Sequence, residues 1–147
     1  MSGSNYIAPV NVDGLYIIDC SMHLEPEPAE EMNVTLDIDV QRGNLYVDEN
    51  SIARKNVTLS VKTGMSTMSD ASDRRFYASA TVLINISVGT SPEDDRESIN
   101  QYLDANAVSI AYSHARSAIM TITGLSPLGP YVIPAVLPYE LLKDNES

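Results

Sequence analysis

The sequence predicts an antiparallel α+β protein: four strands, then a long helix, a proline-rich crossing and a short C-terminal helix. Three observations carry that prediction. Apolar and polar residues alternate with period two through most of the first ninety positions. A helix-start signal at Ser91 opens a stretch of helical spacing. Four prolines (Pro127, Pro130, Pro134 and Pro138) then forbid a continuous helix in the tail.

The strands come first. Tyr16, Ile18, Cys20, Met22 and Leu24 are read on one face of the first, with Asp19, Ser21 and His23 on the other. After the breaker Glu25-Pro26-Glu27-Pro28, Met32, Val34, Leu36, Ile38 and Val40 alternate with Asn33, Thr35, Asp37, Asp39 and Gln41. A third segment sets Val57, Leu59 and Val61 against Thr58, Ser60 and Lys62. The fourth sets Phe76, Ala78, Ala80, Val82, Ile84, Ile86 and Val88 against Ser79, Thr81, Asn85 and Ser87. Strands that alternate are buried on one face only, which marks an antiparallel sheet. No helical crossover separates them, as parallel pairing would require. Arg42-Gly43-Asn44 and Ser69-Asp70-Ala71-Ser72-Asp73 read as hairpin loops.

The helix follows Ser91-Pro92-Glu93-Asp94-Asp95, read as a Ser N-cap, a Pro at the first position and acids at the positive dipole end. Ile99, Tyr102, Leu103 and Ala107 form one apolar series, and Val108, Ala111, Tyr112, Ala115, Ile119 and Ile122 another, with Gly124 as C-cap. The two series do not share one narrow stripe. Either the helix is interrupted near Asp104-Ala105-Asn106, or it is apolar on two sides and sandwiched. In the tail, Leu128, Tyr131, Val132, Ile133, Val136 and Leu137 are too apolar for a solvated linker. The expected form is an extended, packed segment ending in a helical turn from Pro138 to Leu142.

Size adds a constraint. Four strands of about ten residues make a sheet about 33 Å long and about 19 Å wide, and a helix is about 10 Å across. One helix covers about half of such a face. The rest needs the proline-rich segment, another subunit or a bound client.

With 147 residues the chain reads as a single domain over 6–143, with flexible ends at 1–5 and 144–147. A net charge of −11 argues against nucleic acid and anionic membrane as partners, because phosphate contacts need a basic surface. A single cysteine, Cys20, rules out an internal disulfide and points to a reducing compartment. The N-terminal residues carry no basic and apolar targeting pattern, and no apolar run approaches membrane-spanning length. The expectation is a cytoplasmic protein with no membrane insertion.

Asp19 to Met22, Val34 to Asp39, Ile84 to Gly89, Ser113 to Ile119 and Pro134 to Leu142, in this order, resemble stretches of the SecB export chaperones. Asp19-Cys20-Ser21-Met22 is similar to that family's first-strand pattern, and Val34-Thr35-Leu36-Asp37-Ile38-Asp39 to its second. Ile84 to Gly89 is similar to its strand exit. Ser113-His114-Ala115-Arg116-Ser117-Ala118-Ile119 resembles its helix motif, and Pro134 through Leu142 its proline-bearing ending. The resemblance covers about Tyr16 to Leu142. It implies a homo-tetramer, a dimer of dimers with long helices sandwiched between dimers, and grooves that hold unfolded or partly folded polypeptide clients. The groove would be lined by Leu24, Met32, Tyr131, Ile133, Val136, Tyr139 and Leu142. Val108, Tyr112, Ala115 and Ile119 would lie at the oligomer interface, and Asp19 would dock the SecA motor. His23 and Ala78 stand where that family carries further docking acids.

Catalytic chemistry has little material. Cys20 and His23 fall on opposite faces of one strand, which disfavours a nucleophile pair. Two histidines give no metal-ligand spacing, and no glycine-rich phosphate loop is present, so no cofactor is implied. The function expected is holdase-type chaperoning, for export or for protection of a specific client such as an antitoxin. The competing expectation is an oligomeric structural or assembly protein, of a phage or mobile element, without client binding.

Overall fold

The computed structural model describes residues 10–24, 32–67, 74–126, 129–134 and 140–142, and the side chains of Met32, Asn33, Ser66, Thr67, Arg74 and Arg75 are not described. The expected flexible ends fall outside these residues, as does the loop at 69–73. The elements are β1 (Asn11–Leu24), β2 (Met32–Arg42), β3 (Tyr46–Val47), β4 (Ile52–Thr67), β5 (Arg74–Gly89) and α1 (Arg96–Thr123). Residues 140–142 form a helical turn, the described part of the expected final helix.

All pairings are antiparallel, in the order β1-β5-β4-β2, with β3 also paired to β4. Odd residues of β4 (Val57, Leu59, Val61) and even residues of β5 (Ala80, Val82, Ile84) are fully buried, as the alternation requires. These two strands are central because their apolar faces are the cleanest. The expected hairpin at Arg42-Gly43-Asn44 is instead a break between β2 and β3, which lie on the same edge of β4. The turn itself is 48–51. Asp48 accepts from the Asn50 and Ile52 backbone N–H groups, and Ser51 adopts a positive φ of 62°.

β1 departs from its predicted alternation. It begins at Asn11, and its register against β5 shifts between Val12 and Gly14 and again between Ile17 and Asp19. Each shift inserts one unpaired residue and reverses which face the later side chains occupy. Leu15 (opposite Ile84), Ile17 (opposite Val82) and Cys20 (opposite Ala80) therefore share the core face. Tyr16 and Ile18, read from sequence on the face of Cys20, are instead 52% and 56% exposed.

The helix is continuous for 28 residues, without the possible interruption at Asp104. Its N-cap is Asp95, not Ser91: the Asp95 carboxylate accepts from the Ser98 N–H, while the preceding residues form a turn in which Asp94 accepts from the Ser91 N–H. Gly124 caps the other end in a right-handed conformation. Asp104 tolerates the helix interior because it is ion-paired. Lys55, on the core face of β4, places its Nζ against Asp104 Oδ1 and Asn100 Oδ1, and Arg42 Nη1 lies 3.4 Å from Asp104 Oδ2. Both the Lys55 and Asp104 side chains are only 3% exposed. This network seats the first half of the helix on the sheet. The second half is seated by Val108, Ala111, Ala115 and Ile119, all fully buried.

Candidate functional site

A helix turns about 100° per residue, so Tyr112, Arg116 and Thr123 share one flank of α1, while His114 and Ala118 share the opposite one, with Leu125 just past the helix end. The two flanks meet different neighbours. On the first, residues 129–134 run as an extended strap. Thr123 Oγ1 accepts from the Tyr131 N–H at 2.8 Å, Arg116 Nε donates to the Ile133 carbonyl at 3.0 Å, and the Tyr112 hydroxyl donates to the Pro134 carbonyl. The Tyr131 ring packs on Phe76 with centroids 5.6 Å apart, and its hydroxyl accepts from Thr63 Oγ1 at 3.3 Å. The strap thus closes one side of the sheet within the chain.

The opposite flank stays open. Between α1 and β1 lies a trough of about 500 Å³, whose apolar lining includes Ile17, Ala118, Ile122 and Leu125. Leu125 is 86% exposed. Along β1 the same face continues through Met22 to Leu24, which sits opposite Phe76 and so reaches the Phe76–Tyr131 pair. Near the helix start a second hollow of about 310 Å³ is lined by Val88, Ile99, Tyr102 and the Asp94–Asp95 turn. The outer edge of β1 has no strand neighbour among the described residues. An open apolar channel beside an unpaired strand edge is suited to an extended chain, which offers main-chain hydrogen bonds to the edge and alternate side chains to the channel.

Cys20 and His114 both line this trough, a pairing invisible in sequence because it depends on the β1 bulge and the helix seat. Cys20 and His23 do fall on opposite faces, opposite Ala80 and Tyr77. Burial, and then the negative charge of Asp19, push the Cys20 thiol above its ordinary range, which disfavours the reactive thiolate. Among the described residues no cluster of three or more His, Cys, Asp or Glu could hold a metal ion. No described helix is long and apolar enough to cross a membrane.

The residues expected to line a groove are differently disposed. Leu24, Tyr131 and Leu142 are half-buried but are not part of the trough lining, and Tyr131 belongs to the strap on the other flank of the helix. Ile133 is fully buried and is a core residue of the strap rather than an open lining. Met32 opens β2 opposite Thr67, its side chain not described, and Val136 and Tyr139 lie outside the described residues. Asp19 points outward, opposite Thr81, on the exposed sheet face. Val108, Tyr112, Ala115 and Ile119 are all buried within the single chain, under the helix and strap. They are core, because the sheet and the crossing already cover that side. The outward side of α1 carries Tyr102, Ser109, Ser113, Ser117 and Met120 instead.

Sheet, helix, strap and trough together define a class: an antiparallel α+β protein that covers one side of its own core and leaves an apolar channel on the other. No protein-family model and no curated protein sequence matches the chain. Among solved structures, it is similar to a SecB-like chaperone of Mycobacterium tuberculosis in complex with a ChAD peptide from the HigA1 antitoxin. The TM-score is 0.60 at 15% identity, over 91% of this chain and 95% of that one. A protein of unknown function from Streptococcus agalactiae matches with a TM-score of 0.49 at 10% identity, over 87% and 98% of the two chains. The chain has the SecB-like fold.

Proposed function

We propose that the protein is a chaperone of the holdase type, which keeps non-native polypeptide extended and works as a homo-oligomer. The observation that carries the reading is the open trough between β1 and α1, an apolar channel beside a strand that has no outer strand neighbour among the described residues. Leu24, Tyr131 and Leu142, with Met32, Val136 and Tyr139, are proposed as further client-contact residues, and Asp19 is the docking residue proposed for a SecA-type motor. The SecB-like fold supports the reading, and so does the neighbour whose structure holds an antitoxin peptide. In that reading an antitoxin segment is one class of client.

The test is aggregation of a chemically denatured model protein, followed by light scattering. Near-stoichiometric amounts of the chain should suppress scattering, and Ile17→Asp, a change within the trough, should weaken suppression. Unchanged aggregation with the wild-type chain defeats the proposal. The small-residue outer side of α1 (Ser109, Ser113, Ser117) favours a second reading, an assembly subunit whose helices pack closely. That reading gives a stable oligomer by native mass measurement with no effect on aggregation.

A further inference from the structure

The strap differs from an ordinary packed loop in how the helix holds it. Three side chains of α1 reach it, and all three bond to its main chain rather than to its side chains: Thr123 to the Tyr131 N–H, Arg116 to the Ile133 carbonyl, Tyr112 to the Pro134 carbonyl. Thr123 is itself fixed, because its hydroxyl donates to the Ile119 carbonyl at 2.6 Å. Main-chain contacts carry no sequence preference. Preference enters through the side chains, which alternate as in a strand. Tyr131 turns inward onto Phe76 and Thr63, and Ile133 is fully buried, while Val132 is 58% exposed and Pro134 points out. Backbone hydrogen bonds for affinity and alternating pockets for specificity are the two components of extended-peptide recognition.

We propose that residues 129–134 occupy a peptide-binding site of this same chain as a built-in pseudo-client. On this proposal the flank formed by Tyr112, Arg116 and Thr123 is a second client site. Its ligand class is an extended segment with an aromatic residue and, two positions later, a branched aliphatic residue. The strap holds that site closed until a client displaces it. The inference rests on the chaperone reading for its biological sense, but not for its chemistry. Leaving the strap requires the loss of its three hydrogen bonds to the helix, the Tyr131–Thr63 hydroxyl contact and two side-chain insertions. Gly129, at φ 79°, makes the turn that returns the chain to the helix, with its N–H donating to the Ser126 carbonyl. Being tethered by a short connection, the strap competes at an effective concentration on the order of millimolar.

The experiment measures fluorescence anisotropy of a labelled peptide, Gly-Pro-Tyr-Val-Ile-Pro, with the full chain. The wild type should bind weakly, because its own strap holds the site. Ile133→Ala and Tyr131→Ala, which loosen the strap but keep the helix grip, should bind at least about tenfold more tightly. Adding Arg116→Gln to either should abolish the gain, and a peptide with aspartate in place of isoleucine should not bind. Circular dichroism identifies which variants remain folded, and Tyr131→Ala, at a half-buried position, decides the matter if Ile133→Ala does not fold. Equal peptide affinity in the wild type and every folded strap variant overturns the proposal. Aggregation suppression by the wild type separates the two ideas. A chain that suppresses aggregation but shows no gain on loosening is a chaperone without a pseudo-client. A chain that gains peptide affinity but never suppresses aggregation keeps the self-occupied site and loses the chaperone reading.

Discussion

Replacing Asp104 with leucine should be among the most damaging single changes in the first half of α1, and the reason lies in what it leaves behind. The Asp104 carboxylate faces two cations, Lys55 Nζ at one oxygen and Arg42 Nη1 at 3.4 Å from the other. Removing it strands the Lys55 ammonium in a site where only 3% of that side chain is exposed, with Asn100 Oδ1 as its remaining partner. Breaking a buried pair from one side costs about 3–5 kcal/mol, and Asp104→Leu belongs at the upper end because the stranded Lys55 is almost fully buried, whereas Arg42, 27% exposed, can turn to solvent. Lys55→Met should cost less, about 3 kcal/mol, because Arg42 still neutralises the carboxylate. The double change, Lys55→Met with Asp104→Leu, should fall within about 1 kcal/mol of wild type or above it, since an apolar pair of similar volume needs no desolvation. For a chain of this size each kcal/mol moves the midpoint by about 3 °C, so Asp104→Leu predicts a fall of about 10–15 °C. Thermal melts by circular dichroism at one protein concentration, with urea titrations of all four proteins, give the coupling energy. If each single change costs under about 1 kcal/mol, the network does not seat the helix and the argument fails.

Three further outcomes follow from particular contacts. A Cβ on Gly64 would lie 2.7 Å from the Phe76 carbonyl oxygen of the neighbouring strand, so Gly64→Ala should cost about 1–3 kcal/mol in urea unfolding. Gly14→Ala should cost less, because its closest contacts are the movable ends of Tyr16 and Asn85. Burial raises the Tyr112 hydroxyl above the usual tyrosine range, against the opposing charge of Arg116. A raised folded-state value means its contribution is complete below about pH 10 and is lost as pH rises through the folded value. Strap protection in hydrogen exchange should therefore decline at alkaline pH, and in Tyr112→Phe this titration should vanish; an identical alkaline decline in both proteins counts against it. Finally, the raised Cys20 thiol should react with iodoacetamide at pH 7.5 several-fold more slowly than a free cysteine; an equal or faster rate refutes the burial argument.

Much of the sheet was legible because β4 and β5 keep strict period two, so face and core could be read directly from Val57 to Val61 and from Phe76 to Val88. β1 was misread for a definite reason. Bulges are set by pairing with β5 and leave no mark in the local alternation, so Tyr16 and Ile18 looked like core. The helix start was misplaced by four residues because Ser91 and Asp95 are equally good caps, and tertiary packing chose the second. Asp104 looked like an interruption since its partner, Lys55, is 49 positions away, on a strand whose inward residues are mostly apolar. The trough escaped notice for a related reason. His114 and Ala118 belong to a second face of α1, with Leu125 just past its end, and which face the helix leaves uncovered depends on where the strap lies, a matter of three hydrogen bonds from the helix to residues beyond it.

The two register shifts in β1 bear on how such a molecule survives at high concentration. A flat, regular edge fourteen residues long, with Val12 and Ile17 nearby, would offer a template on which further copies could stack without end. Each shift breaks the ladder and increases local twist, so no stretch of β1 presents more than a few evenly spaced backbone groups. Asp13, at the first shift, adds a charge close to Arg54 of the same sheet. Such interruptions work against regular edge-to-edge stacking of copies. Deleting the extra residue at either shift would straighten the edge and convert a self-limiting surface into a polymerising one.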